Sequence, residues 1–196
     1  MAYNLIIIDN FYSNPVEVRE FALQQDFDVE GNYPGHRTKS FLSPSLKEYI
    51  ELHLSKVHGE IYWPEEGEEE YCGAFQFTTA EDRSWIHADN ATKWAGVLYL
   101  TPDAPLSGGT ALYKHIETGM TAAPKLPNDE TNYELLDIIH DDGSDYTKWE
   151  MTDRVANVFN RLVLYRGDYF HASLDYFGKD INDGRLFQTF FFNTEN

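Results

Sequence analysis

Residues 185–193 read RLFQTFFFN, and their alternation is the clearest structural signal in the chain. In an extended segment successive side chains point to opposite faces. Arg185, Phe187, Thr189 and Phe191 then share one face, and Leu186, Gln188 and Phe190 the other. Aromatic runs of similar length come before it: YCGAFQFTT (71–79), WAGVLYLT (94–101), GTALYKH (109–115) and RLVLYRG (161–167). Gly, Pro or Asp clusters separate them, as expected of strands joined by turns.

The first third of the chain has a different character. Residues 4–9 read as a first strand. Asn14 then caps a helix with Pro15 at its first position and Glu17 in its first turn. That helix is expected to run to about Gln25 and to bury Val18, Phe21 and Ala22. Tyr33-Pro34-Gly35 predicts a type II turn, followed by His36 and Arg37, read as a surface loop with a substrate contact as the lesser alternative. Pro44 or Ser45 opens a second helix, with Leu46, Tyr49, Ile50, Leu54 and Val57 on one face. The stretch from about 118 to 154 is the least regular. NDETNYELLDIIHDD (128–142) fits an acidic amphipathic helix, and DGSDYTKWEMTDRVAN (142–157) fits no single element. Helices first and short strands afterwards predict an α+β, mainly β fold with a sandwich or jelly-roll core.

At 196 residues the chain suits one domain with a substantial core. A formal charge of −18, from 15 basic against 33 acidic residues, argues against nucleic-acid binding, which needs a basic surface. Acidic runs such as EEGEEE (65–70) read as solvated loops. No apolar stretch approaches the roughly 18–20 residues of a membrane span. The LIII run lacks the length and basic leader of a secretory signal. The lone Cys72 fits a buried apolar position in a reducing compartment, so a cytoplasmic location is expected.

Chemistry enters with WIHADN. His87 and Asp89 end the run AFQFTTAEDRSWIHAD (74–89), and at i and i+2 of an extended segment they face the same way. His171 follows 82 positions after Asp89, just beyond RLVLYRG. Two histidines and one carboxylate on two strand-like segments make a facial triad for Fe(II), which leaves positions open for a co-substrate and O2. Other pairs compete: His58 with Glu60, His115 with Glu117, and His140 with Asp142. The first sits at a helix end, the second lacks a comparable strand frame, and the third lies in an acidic turn. Arg185, 14 positions past His171, is a cation among aromatics that needs an anionic partner. The far carboxylate of 2-oxoglutarate is one such partner.

These elements together resemble the Fe(II)/2-oxoglutarate-dependent oxygenase superfamily, in particular its prolyl-hydroxylase-like branch, over about residues 71–193. His87-Ala88-Asp89-Asn90 is similar to that branch's metal-binding opening. Leu98-Tyr99-Leu100 resembles its next strand, Ser107-Gly108-Gly109-Thr110 the glycine pair after it, and Asn160-Arg161-Leu162-Val163 the strand before the distal histidine. The resemblance implies a double-stranded β-helix (jelly-roll) core at about 71–193. The N-terminal strand and helices (about 1–60) would pack on one sheet, with an irregular insertion at about 118–154. It also implies Fe(II), 2-oxoglutarate and O2, with His87, Asp89 and His171 as metal ligands and Arg185 and Tyr99 on the co-substrate. The expected reaction is hydroxylation of a small molecule or a protein side chain, with no nucleic-acid or membrane partner. The overall acidity favours a neutral or cationic substrate. A cupin-like metal protein without 2-oxoglutarate, or a non-catalytic jelly-roll module, would carry the same triad.

Residues near the triad have expectations of their own. Trp85, Trp94 and Tyr113 read as packing residues, Gln76 as either a pocket donor or a sheet-edge group, and Asn90 as a support for Asp89.

Overall fold

The computed structural model describes residues 3–65, 71–124 and 130–195; most of the acidic run at 65–70 and the first two residues of the 128–142 segment lie outside them. Among the described residues ten strands form two sheets: β1 (Leu5–Ile8), β2 (His36–Arg37), β3 (Ile61–Tyr62), β4 (Phe75–Thr78), β5 (Trp94–Tyr99), β6 (Thr110–His115), β7 (Trp149–Val155), β8 (Leu162–Arg166), β9 (His171–Ser173) and β10 (Arg185–Thr194). The larger has the order β1-β8-β5-β10-β4-β2, with β3 also pairing to β10, and the smaller β7-β6-β9. All named pairings are antiparallel.

The alternation at 185–193 sorts the core into layers. Phe187 pairs with Tyr99, Thr189 with Val97 and Phe191 with Ala95, while Val97 and Ala95 pair with Val163 and Tyr165. Most of this set packs with Leu112 of β6 and Val155 of β7, so it fills the space between the sheets. The alternate set, Leu98, Leu164, Leu186 and Phe190, packs with Ala22, Ile50 and Leu54 on the outer face. Phe190 is 1% exposed; deleting a buried phenyl ring costs about 3–5 kcal/mol. The N-terminal helices therefore cover one face of the large sheet, and the other face is left to build the site.

Those helices are α1 (Pro15–Ala22) and α2 (Pro44–His58). Each has Pro at its start, and Ser43 caps α2 by accepting from the Leu46 N–H at 3.2 Å. α1 is shorter than its periodicity predicts. Ala22 is fully buried, but Phe21 is 45% exposed and meets the Phe41 and Phe75 rings edge-on. The 118–154 stretch supplies α3 (Glu130–Asp142) and then β7, which pairs along β6. Among the described residues no helix is long and apolar enough to cross a membrane.

Candidate metal centre

His87, Asp89 and His171 come together where the two sheets approach each other. One donor atom from each lies within 4.8 Å of the others. His171 Nε2 is 3.3 Å from Asp89 Oδ2, and His87 Nε2 is 3.8 Å from Asp89 Oδ1. A metal with bonds near 2.1 Å sets adjacent donors about 3 Å apart, so the group can hold one ion once its donors draw closer together.

The local backbone explains why these three meet. His171 opens β9, and His87 forms an isolated antiparallel bridge with it. Asp89 is held by its own N–H, which donates to the Gly167 carbonyl at 2.7 Å. Gly167 is needed there. A Cβ at that position would stand 2.3 Å from the Thr92 carbonyl oxygen and 2.6 Å from that of Asp89. Asn90 is exposed and makes no hydrogen bond to Asp89, so backbone supplies the support expected of that side chain.

Orientation and charge also suit a metal. His87 Nδ1 lies 3.0 Å from the Trp85 carbonyl and His171 Nδ1 2.8 Å from that of Tyr169. A carbonyl only accepts, so each Nδ1 carries the proton and each Nε2 presents its lone pair to the centre. Burial, and secondly the neighbouring His171, lower the His87 pKa to about 4, which keeps the ring neutral at pH 7. Burial alone would raise Asp89, but His171, His87 and Arg37 outweigh it and hold the carboxyl below its usual range.

The triad faces a cavity of about 780 Å³, within the range of small-molecule sites. His87 and Asp89 keep 34% and 30% of their side-chain surface open towards it, whereas His171 keeps 5%. Trp85, expected only to pack, lines the cavity and lies against the His87 ring at 5.6 Å. Trp94 and Tyr113 are buried as expected.

Arg185 is fully buried on β10. Its Nε donates to the Gly108 carbonyl at 3.1 Å, while Nη1 and Nη2 have no hydrogen-bond partner. The guanidinium lies 4.3 Å from the Phe187 ring centre and 5.3 Å from that of Tyr99. Tyr99 is also buried, with its hydroxyl 2.7 Å from Thr110 Oγ1. Neither Arg185 nor Tyr99 lines the cavity, but their neighbours Phe187 and Thr110 do. A buried guanidinium with two unpaired nitrogens is costly without an anion, and a carboxylate is the matching shape.

Two features of the site escape a reading of the chain alone. Tyr165 lines the cavity, lies tilted against the His171 ring with centres 4.5 Å apart, and is close enough to feel both Asp89 and Arg185. Burial raises its pKa well above the ordinary tyrosine value. Arg37, expected on a surface loop, is instead only 7% exposed and forms part of the cavity wall. Tyr33 and Tyr71 carry its guanidinium. The competing histidines do not join the triad: His115 is fully buried with Nε2 3.0 Å from Asp142 Oδ2, and His140, in the last turn of α3, lines the cavity.

No curated protein sequence matches this chain. Among solved structures it is similar to HygX from Streptomyces hygroscopicus with nickel and 2-oxoglutarate bound, with a TM-score of 0.59 at 11% identity over 98% of this chain and 83% of HygX. HygX with nickel, 2-oxoglutarate and hygromycin B bound gives 0.58 at 12% identity, over the same 98% and 83%. A prolyl hydroxylase from Trichoplax adhaerens, in complex with a hypoxia inducible factor oxygen degradation domain peptide fragment, gives 0.52 at 15% identity over 98% and 84%. The chain shares the fold of these proteins. It matches the family of unknown function DUF6445 over residues 2–192, and it belongs to that family.

Proposed function

We propose that this member of the DUF6445 family is an Fe(II)- and 2-oxoglutarate-dependent dioxygenase of the prolyl-hydroxylase-like branch, hydroxylating a C–H bond of a small molecule or a protein side chain. His87, Asp89 and His171 hold the iron, and Arg185, backed by Tyr99, holds the far carboxylate of 2-oxoglutarate. Residues 71–193 then form the double-stranded β-helix core, and about 1–60 its cover. The observation that carries this reading is the convergence of three donor atoms within 4.8 Å on a cavity wall. HygX, which has the same fold, has been solved with nickel and 2-oxoglutarate bound.

When bound, iron with 2-oxoglutarate and O2 supplies a C–H oxidation coupled to conversion of 2-oxoglutarate into succinate and CO2. The chain's own residues set the conditions for it. The Trp85 and Tyr169 carbonyls keep the protons on Nδ1, so both imidazoles ligate as neutral groups. Asp89 stays ionised and offsets half of the metal charge. Arg185 waits in a dry site with two donors unused, where a charge-assisted contact is stronger than in water. The cupin-like alternative makes Arg185 purely structural and gives no reason for those unused donors.

Anaerobic reconstitution with Fe(II) and 2-oxoglutarate tests the reading. The expected result is the weak visible charge-transfer band of the chelate, absent from the Asp89→Ala variant. Iron bound without that band would favour the cupin-like alternative, and no iron bound at all would end both.

A further inference from the structure

The cavity has a second charged feature, which supplies no metal ligand. Of the described residues lining it, Asp89 is the one carboxylate and Arg37 the one permanent cation. Asp89 is committed to the triad. Arg37 is 7% exposed and has no carboxylate within ion-pair distance among the described residues. Its Nε donates to Gln76 Oε1 at 3.0 Å, and its Nη2 donates to the same oxygen.

The sequence builds this position with some care. Gly35 adopts φ +74°, the left-handed value that the third residue of a type II turn requires. A Cβ there would collide with the Phe77 carbonyl at 2.1 Å, so the turn lies flat on β4. The chain leaves it as β2, and Arg37 pairs directly with Gln76. Gln76 in turn pairs with Phe187 on β10, so Arg37 joins the sheet face that looks into the cavity. The Gln76 amide donates to the Pro34 carbonyl at 2.6 Å, which fixes its oxygen towards Arg37. Tyr33 and Tyr71 complete the seat, with ring centres 3.7 and 4.7 Å from the guanidinium carbon. A cation held by two rings and a neutral amide is oriented but not neutralised.

We infer that Arg37, seated by Tyr33, Tyr71 and Gln76, is the substrate-binding residue of this cavity and takes a carboxylate of the substrate. The inference rests on the triad being the reacting centre, and it adds the substrate class: an organic acid, or a free or side-chain carboxylate of a peptide. It replaces the preference for a neutral or cationic substrate drawn from the overall charge of −18. Long-range repulsion slows the approach of an anion, but the contact inside the cavity decides what is held.

Proton–nitrogen NMR of the arginine Nε–H signals in the zinc-loaded protein tests this without turnover. Arg37→Lys and Arg185→Lys assign the two signals by their loss. With 2-oxoglutarate in excess, sodium benzoate should shift the Arg37 signal saturably, and benzamide should not. Arg37→Lys should weaken benzoate binding about tenfold or more, since an ammonium loses the forked contact. In the iron protein the 2-oxoglutarate band should be unchanged by Arg37→Lys. No benzoate shift, or an equal shift with benzamide, overturns the carboxylate assignment while leaving the metal reading intact. A shift of the Arg37 signal by 2-oxoglutarate itself, with Arg185 silent, also overturns it, because the seat would then belong to the co-substrate.

Discussion

His87 and His171 bond to each other through their backbones in both directions, His87 N–H donating to the His171 carbonyl at 3.1 Å and His171 N–H to that of His87 at 2.8 Å. Their rings are 4.4 Å apart. Two segments separated by more than eighty residues are thus tied at the point where their imidazoles must meet. Removing one imidazole leaves this bridge intact, because it uses only main chain. His171→Ala should therefore keep the fold and its melting temperature in metal-free form, yet weaken iron or zinc binding more than about 100-fold. Isothermal titration beside a thermal melt checks both halves; a variant that unfolds would show that the side chain, not the bridge, holds the strands.

The pKa pattern fixes the direction of the acid response. Unfolded His87 takes up a proton near 6.5, whereas in the folded protein it holds off until about 4. Between those values the unfolded state binds more protons, so the metal-free protein loses stability as pH falls from 6.5 towards 4. Asp89, held below 3.8, adds stability that is lost as the pH drops further, through its lowered value. Metal binding should be lost as the pH falls through about 4, where His87 takes up its proton. In His87→Gln the stability loss between pH 6.5 and 4 should be visibly smaller than in the wild type, as read from melts across that range.

How much of this was legible in the chain follows from how local each signal is. His87 and Asp89 could be paired because the i, i+2 geometry of an extended segment is local, and Arg185 could be placed because β10 alternates along its whole length. Arg37 could not. Its burial comes from pairing with Gln76 and from Tyr33 and Tyr71, contacts whose partners are spread over more than forty residues. β7 was hidden for another reason: Trp149 and Val155 are buried, but the five residues between them are exposed, so no alternation marks the strand. The apolar spacing extends α1 to about Gln25, whereas the helix stops at Ala22, and Phe21, expected in the core, is 45% exposed.

Gly167 offers a test of how tightly the metal site depends on backbone approach. A methyl group there meets two carbonyl oxygens, those of Thr92 and Asp89, at 2.3 and 2.6 Å. Neither is a flexible side-chain end, so the loop carrying Asp89 must move. Gly167→Ala should destabilise the protein by about 1–3 kcal/mol and weaken metal binding roughly tenfold through the displaced Asp89. Equal metal affinity in wild type and variant, measured by titration, would mean that the loop adjusts without carrying the carboxylate away.

Arg185 separates a structural cation from a ligand-binding one. Its Nη1 and Nη2 are buried without a hydrogen-bond partner, its Nε donates to the Gly108 carbonyl, and the guanidinium lies against the Phe187 and Tyr99 rings, with the Tyr99 hydroxyl close enough to feel its charge. A cation in that state costs stability in the empty protein, so Arg185→Met should leave the melting temperature unchanged or raise it. The same change should remove about 2–4 kcal/mol of 2-oxoglutarate affinity, the cost of a lost charge-assisted contact in a closed site. Wild-type protein with metal should melt higher when 2-oxoglutarate is added, and Arg185→Met should not. A variant that melts lower without ligand, yet is stabilised by 2-oxoglutarate as strongly as the wild type, would make Arg185 a packing residue and move the co-substrate elsewhere in the cavity.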